Sequence, residues 1–365
     1  MSSESVPKLF QPIKVGDMTL AHRVVLAPLT RYRANVAHVH GDLAVEYYSQ
    51  RASVAGSLLI TEATFISAKA GGYAHVPGIW SDAQIAAWKR VTDAVHVKGS
   101  YIYLQLWALG RAAKPEELEK EDPSFPYVSV SDIQLTGKPK APRPLTEDEI
   151  KEYVQLYTTA ASNAVHRAGF DGVEVHGANG YLLDQFLQDV SNNRRDKYGG
   201  SIENRARFFL EILAAVTAKI GAQKTGVRFS PWGQFQDMRM QDPVPTFKYV
   251  VSQIAELFPD IAYVHLVEPV SLIVRNSETN DYFRKIWAPR PVISAGEYTR
   301  ETALATAHRR AASSRSVEPT FQTCPDLPLR LRKNIPLTKY DYSTFYTPED
   351  PKGYIDYPFA DTATL

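Results

Sequence analysis

In the stretch FDGVEVHGANGYLLDQFLQD, residues 170–189, an imidazole, a carboxamide and a phenol stand close together at His176, Asn179 and Tyr181. Gly177 and Gly180 let the chain bend between them, so that several of these side chains can face one way. An imidazole and a carboxamide aimed together are two donors for a single oxygen, the arrangement that polarises a carbonyl or nitro group. Two further residues are chemically out of place. Gln105 interrupts the apolar run YIYLQLW and Arg228 the run TGVRFSP, and burying either is costly unless a ligand or partner satisfies it. Thr30, Glu62, Ala63, Trp107 and Gly296 lie at or near the ends of similar runs.

Seven such short runs, at 23–30, 57–66, 101–107, 172–177, 225–231, 263–269 and 291–296, read as strands. Longer stretches with helical spacing lie between them, including 82–98, 146–168, 204–220 and 244–257. Thr146 with Glu149 forms a capping-box pattern at a helix start. Strand and helix in alternation mean parallel strands joined by right-handed crossovers. No GxGxxG follows the first strand, so a single (β/α)₈ TIM barrel over residues 1–365 fits better than a doubly wound sheet. The segment LFQPIKVGDMTLAH reads as a hairpin able to plug the barrel bottom, and the Pro- and charge-rich residues 114–144 are long enough to form a lid. In such a barrel the C-terminal strand ends build the active site, which is where the chemically loaded residues fall.

Composition narrows the partners. A net charge of +1 argues against a nucleic-acid binder working through a broad basic field. The single cysteine, Cys324, rules out an internal disulfide or a Cys-built metal site and suits a reducing compartment. With no leader-like start and no run of about 18 apolar residues, the expectation is a soluble cytoplasmic protein, without membrane or metal, acting as a monomer or homodimer.

At these positions the sequence resembles the old yellow enzyme family, FMN-dependent ene-reductases built on (β/α)₈ barrels. The likeness runs through APLTRYRA (27–34), ITEATFIS (60–67), YLQLWALGRAA (103–113), HGANGYLLDQF (176–186), YGGSIENRARF (198–208) and the tail PLTKYDYSTFY…GYIDYPF (336–359). Thr30, where another branch carries Cys, places the chain beside the plant oxophytodienoate reductases rather than the dienoyl-CoA reductases. The resemblance implies FMN held by Pro28, Leu29, Thr30, Ala63, Gln105, Arg228, Gly296 and Glu297, and a substrate pocket that includes Trp107 and Tyr346. It implies that His176 and Asn179 hold the oxygen of an α,β-unsaturated carbonyl or nitro substrate, an enone or enal. Hydride from flavin N5 then reaches the β-carbon, Tyr181 protonates the α-carbon, and NADPH restores the flavin in the same pocket. Some relatives isomerise an unsaturated aldehyde in a biosynthetic pathway instead, and a barrel that has lost FMN is a third reading.

One stretch departs from the family. Where an apolar eighth strand ending in Gly-Arg is expected to grip the FMN phosphate, residues 308–328 read HRRAASSRSVEPTFQTCPDLP. Read one base early, with TCN codons for Ser and CGN for Arg, Ser313, Ser314 and Ser316 become Phe, Leu, Ile or Val, Arg315 becomes small, Val317 permits Gly and Glu318 permits Arg. The shifted stretch can spell AGSLVAFGRTYF. Residues 309–320 are therefore read as a frameshift in the gene or its recorded sequence, corrected near Phe321, the alternative being a genuinely divergent or inactivated site, and the literal chain is expected to lose a strand and the phosphate's arginine and to retain FMN weakly. Sequencing the coding DNA tests this. The shifted frame must encode an apolar run ending in Gly-Arg, and bases that cannot do so refute the reading.

Overall fold

The structure, a computed structural model, describes residues 6–269, 278–309, 313–317 and 320–361. An antiparallel hairpin of β1 (Ile13–Val15) and β2 (Met18–Leu20) precedes the barrel. Eight parallel strands then close into a ring: β3 (Val24–Leu26), β4 (Leu58–Ile60), β6 (Tyr101–Trp107), β9 (Gly172–Gly177), β10 (Thr225–Phe229), β11 (Tyr263–Val267), β12 (Val292–Gly296) and β13 (Ser313–Val317), which returns to β3. Short β5 (Thr64–Phe65) pairs with the end of β6, and β7 (Val128–Ser129) pairs with β8 (Arg143–Pro144) in the excursion after β6. All seven sequence-read runs supply ring strands.

The helices include α1 (Asp42–Arg51), α2 (Asp82–His96), α3 (Pro115–Glu121), α4 (Glu147–Ser162), α5 (Leu182–Leu187), α6 (Ile202–Ile220) and α7 (Val244–Leu257). The box at the start of α4 is present: Glu149 N–H donates to Thr146 Oγ1 at 3.2 Å and Thr146 N–H to Glu149 Oε2 at 2.8 Å. A second box, Ser81 with Gln84, opens α2 and was not read from the sequence.

The expectation of a missing eighth strand is corrected. Ser313–Val317 pairs with β12 along its length, and β13 pairs with β3 at two positions. The cause lies in the neighbours. Both β12 and β3 present backbone donors and acceptors that are costly to leave unpaired in an otherwise closed ring. Main-chain pairing makes no demand on side-chain polarity, so an extended SSRSV can fill the gap. The side chains of residues 309–320, including any phosphate-binding arginine, lie outside the described residues.

The barrel interior changes character along its axis. At the bottom, Val15, Met18 and Leu20 of the hairpin pack with Val25, Leu58, Ile60, Tyr103, Tyr263 and Ile293 in one buried cluster, so the hairpin closes this end as expected. The rings of Tyr103 and Tyr263 lie 5.7 Å apart. Gly172 and Gly226 make room for them, since a Cβ at either position would come within 2.4 Å of a tyrosine ring. Above this layer the interior becomes polar, with Gln105, Glu174, His265, His176 and Arg228 all buried.

The C-terminal tail is tied across the top by arginines of the first βα segment. Arg31 donates to Phe345 O (3.1 Å), Gln322 Oε1 (3.1 Å) and Gly353 O (2.6 Å). Arg33 reaches Thr344 O and Phe345 O at 2.8 Å each, with Asp350 O at 2.9 Å. Arg51 reaches Tyr354 O at 3.1 Å, and the Tyr354 ring stacks on Tyr47 at 4.1 Å. Replacing Arg31 by Ala leaves the buried Gly353 O without its donor, at a cost of about 1–3 kcal/mol, while Phe345 O keeps Arg33 and Gln322 Oε1 keeps the Tyr47 hydroxyl. R31A is expected to lower unfolding free energy in urea by about 1–3 kcal/mol and to speed proteolysis within the tail, while the same melting profile as the parent would show that the tail is held otherwise.

Candidate functional site

At the C-terminal end of the barrel lies a cavity of about 500 Å³, within the usual range of roughly 300–1,000 Å³ for a small-molecule site. Its walls bring together residues from separate strand ends: Pro28, Leu29 and Thr30 after β3, Ala63 after β4, Gln105 and Trp107 on β6, His176 on β9 with Asn179 and Tyr181 just beyond, Arg228 on β10, and Tyr346 from the tail. Every sequence-read site residue except Gly296 and Glu297 lines it. Those two lie at the end of β12, where Gly296 faces the Glu268 side chain and Glu297 is exposed. Glu62 turns elsewhere, accepting from Arg31 N–H at 3.1 Å and facing His40 at 3.4 Å.

His176 has a readable protonation state. Burial, then the nearby Arg228 charge, lowers its pKa to about 3, so the ring is neutral near pH 7. Ala178 N–H donates to His176 Nδ1 at 3.3 Å, which makes Nδ1 the acceptor and places the one ring proton on Nε2. His176 is therefore a neutral N–H donor. Asn179 follows with φ +57°, a left-handed conformation that asparagine tolerates better than most residues. Its backbone is held from both sides, by Ser230 Oγ accepting from its N–H at 2.7 Å and by Gln236 Nε2 donating to its O at 2.6 Å.

Tyr181 packs its ring edge-on to Trp107, with centroids 4.7 Å apart, and lies 5.3 Å from the His176 ring. Burial, followed by the neighbouring phenols of Tyr73, Tyr32 and Tyr346, holds its hydroxyl well above the ordinary tyrosine value. The phenol keeps its proton.

The loop carrying these residues is fixed from behind by Asp184 and Gln185 on α5. Gly180 N–H donates to Asp184 Oδ2 at 2.9 Å, and Gln188 Nε2 to its Oδ1 at 2.8 Å. Gln185 Nε2 spans Gly180 O at 2.7 Å and Leu109 O at 2.9 Å, joining the loop to the end of β6. Gly180 has φ +74°, and a Cβ there would meet Met238 and Gln236 within 2.9 Å.

Beneath the cavity, Gln105 Nε2 donates to Glu174 Oε1 at 2.7 Å and His265 Nδ1 meets Glu174 Oε2 at 2.9 Å. Burial pushes the Glu174 carboxyl up, but His265, Arg228 and Gln105 together outweigh it and hold the carboxyl below its ordinary value. Arg228 sits level with His176 on one side and His265 on the other.

Tyr32, Tyr73, Phe235 and Tyr342 also line the cavity and were not picked out from the sequence. For Tyr32 a signal was present: in RYR the two arginines bind the tail while Tyr32, at φ +56°, turns to the cavity. The excursion at 114–144 contributes no lining residue. It is anchored behind the site instead, through Tyr127 OH to Arg111 O at 2.7 Å and Thr136 N–H to Asp237 at 2.7 Å. The mouth is walled by Phe235 and by Tyr342 and Tyr346 of the tail. Most of the loop after β11, residues 270–277, lies outside the described residues.

The sequence model of the NADH:flavin oxidoreductase / NADH oxidase family matches residues 8–338. The chain is 51% identical over 362 residues to a chanoclavine-I aldehyde reductase of Penicillium roqueforti, covering 97% of this chain and 96% of that protein. It is 45% identical to a probable inactive dehydrogenase of Claviceps fusiformis, covering 97% and 95%. Among solved structures it resembles Old Yellow Enzyme from Pichia sp. AKU4542, with a TM-score of 0.90, 40% identity and coverage of 97% and 94%.

Asp184 makes the loop's stability depend on pH. Burial raises its pKa from 3.8 to about 7, so the folded protein binds this proton more tightly than the unfolded chain. The stabilisation is complete below the unfolded value and is lost as pH rises from about 4 through about 7. Asp184→Asn removes the titration. From pH 4 to pH 8 the unfolding free energy of D184N is expected to gain on the parent by about 4 kcal/mol, and parallel pH profiles would refute the assignment.

Proposed function

Because the chain belongs to the NADH:flavin oxidoreductase / NADH oxidase family, we propose that it is an NADPH-dependent FMN enzyme reducing the C=C bond of α,β-unsaturated carbonyl compounds. The residues present suit FMN: Gln105 offers an amide for the pyrimidine edge, Arg228 a permanent cation for a ring that becomes anionic on reduction, and Thr30, Pro28, Leu29 and Ala63 form a shallow wall beside them. Gly296 and Glu297, at the end of β12, would serve the phosphate, with the exposed Glu297 carboxylate free to turn to solvent. When bound, FMN supplies the carrier that takes hydride from a nicotinamide and gives it to the substrate's β-carbon.

The chain's own residues do the rest. The observation that carries the reading is the neutral His176, whose only ring proton is on Nε2. With the Asn179 carboxamide it donates to the substrate oxygen, drawing electrons from the alkene without placing a second cation beside Arg228. Tyr181 keeps its proton well above neutrality, as a proton donor to the α-carbon requires. Trp107 and Tyr346 flank the substrate. Such a donor pair is worth about 10²–10³ in rate per donor. The relative named as a chanoclavine-I aldehyde reductase supports an aldehyde as the activating group. Isomerisation of a pathway intermediate would dispense with an acid at position 181, so Tyr181 favours net reduction.

The test is NADPH oxidation with cyclohexenone and an α,β-unsaturated aldehyde, with and without added FMN. Tyr181→Phe is expected to slow alkene reduction by about 10² or more while leaving reduction of the bound flavin by NADPH unchanged. Since neither His176 nor Tyr181 changes charge near neutrality, the alkene step stays level from about pH 5 to about pH 9. Failure to bind added FMN, or a flavoprotein inert toward every activated alkene, would defeat the proposal.

A further inference from the structure

One rung below the cavity lies a carboxylate that none of this chemistry uses. Glu174 is fully buried on β9, directly across from Gln105 on β6. Its Oε1 accepts from Gln105 Nε2 at 2.7 Å and its Oε2 from His265 Nδ1 at 2.9 Å. An ionised carboxylate only accepts, so the NH₂ end of Gln105 must face it. The opposite end of the amide, the carbonyl Oε1, is left for the cavity that Gln105 lines.

Resting on the FMN reading above, we propose that Glu174 is a positioning residue for the flavin. It holds Gln105 with its carbonyl oxygen toward the cavity, ready for the imide N–H of a pyrimidine ring, and it sets a fixed negative charge behind Arg228. The two functions are separable. The first is geometric and acts on affinity. The second is electrostatic and acts on how readily the bound ring takes electrons, because a buried charge is poorly screened and the reduced ring is anionic. Glu174 is not itself among the residues lining the cavity, so its effect passes through Gln105 and through the field at Arg228. Without the carboxylate, Gln105 is free to turn its NH₂ group toward the ring, setting donor against donor.

The holoenzyme and two variants decide the matter, read by FMN dissociation constant and by flavin midpoint potential. Glu174→Gln keeps the shape, removes the charge and allows Gln105 to flip. It is expected to weaken FMN binding about tenfold, the equivalent of one mispaired hydrogen bond, and to raise the potential. Glu174→Asp keeps the charge but shortens the reach, so the potential stays near the parent's while affinity falls. If E174Q lowers only the melting temperature, with affinity and potential unchanged, Glu174 is merely structural and the proposal fails. If E174Q does not fold, E174D carries the test, and parental FMN affinity in that variant overturns it. Parent protein that binds no flavin at all would instead defeat the FMN reading on which this inference stands.

Discussion

A charge without access to water must be matched by its neighbours, and in this barrel that demand is concentrated on Glu174. Isolated at this depth, the carboxylate would be protonated. It is kept ionised by His265 and Gln105 at hydrogen-bond distance and by the charge of Arg228. These groups come from four adjacent strands, β6, β9, β10 and β11, whose register places them at neighbouring heights. The network therefore specifies strand alignment as well as chemistry. A slip of one residue on any strand would turn its polar side chain out of the barrel and leave the others unmatched. Arg228 in turn helps keep His176 neutral, which extends the same constraint to the cavity.

Much of this was legible in the chain. Strands with buried interiors announce themselves as short apolar runs, and polar interruptions such as Gln105 and Arg228 stand out because burial makes them expensive. The convergence of His176, Asn179 and Tyr181 could be read because one glycine-bent loop carries all three. What escaped was decided by distant partners. SSRSV does not look like a strand, yet the open edges of β12 and β3 recruit its backbone. Arg31 and Arg33 gave no hint that their acceptors lie more than 300 residues away in the tail. The excursion after β6 was read as a lid from length alone, and length says nothing about where a loop is anchored.

The tail arginines illustrate a second way of burying charge. Arg31, Arg33 and Arg51 are neutralised chiefly by backbone carbonyls and by the faces of Tyr47, Phe345 and Tyr354 rather than by carboxylates. Planar guanidinium groups suit this, because several donors can engage several carbonyls at once. The result is positional: the segment bearing Tyr342 and Tyr346 is set against Tyr32, whose ring lies 5.7 Å from that of Tyr346. One wall of the cavity thus depends on residues from both ends of the chain.

The hairpin beneath the barrel has a consequence for traffic. With Val15, Met18 and Leu20 seated among the lowest interior side chains, the hairpin fills the far end of the barrel, so among the described residues the cavity opens toward Phe235 and Tyr346. A dead end of this kind favours turn-taking: were two molecules to use the cavity in succession, a large excess of either would crowd out the other.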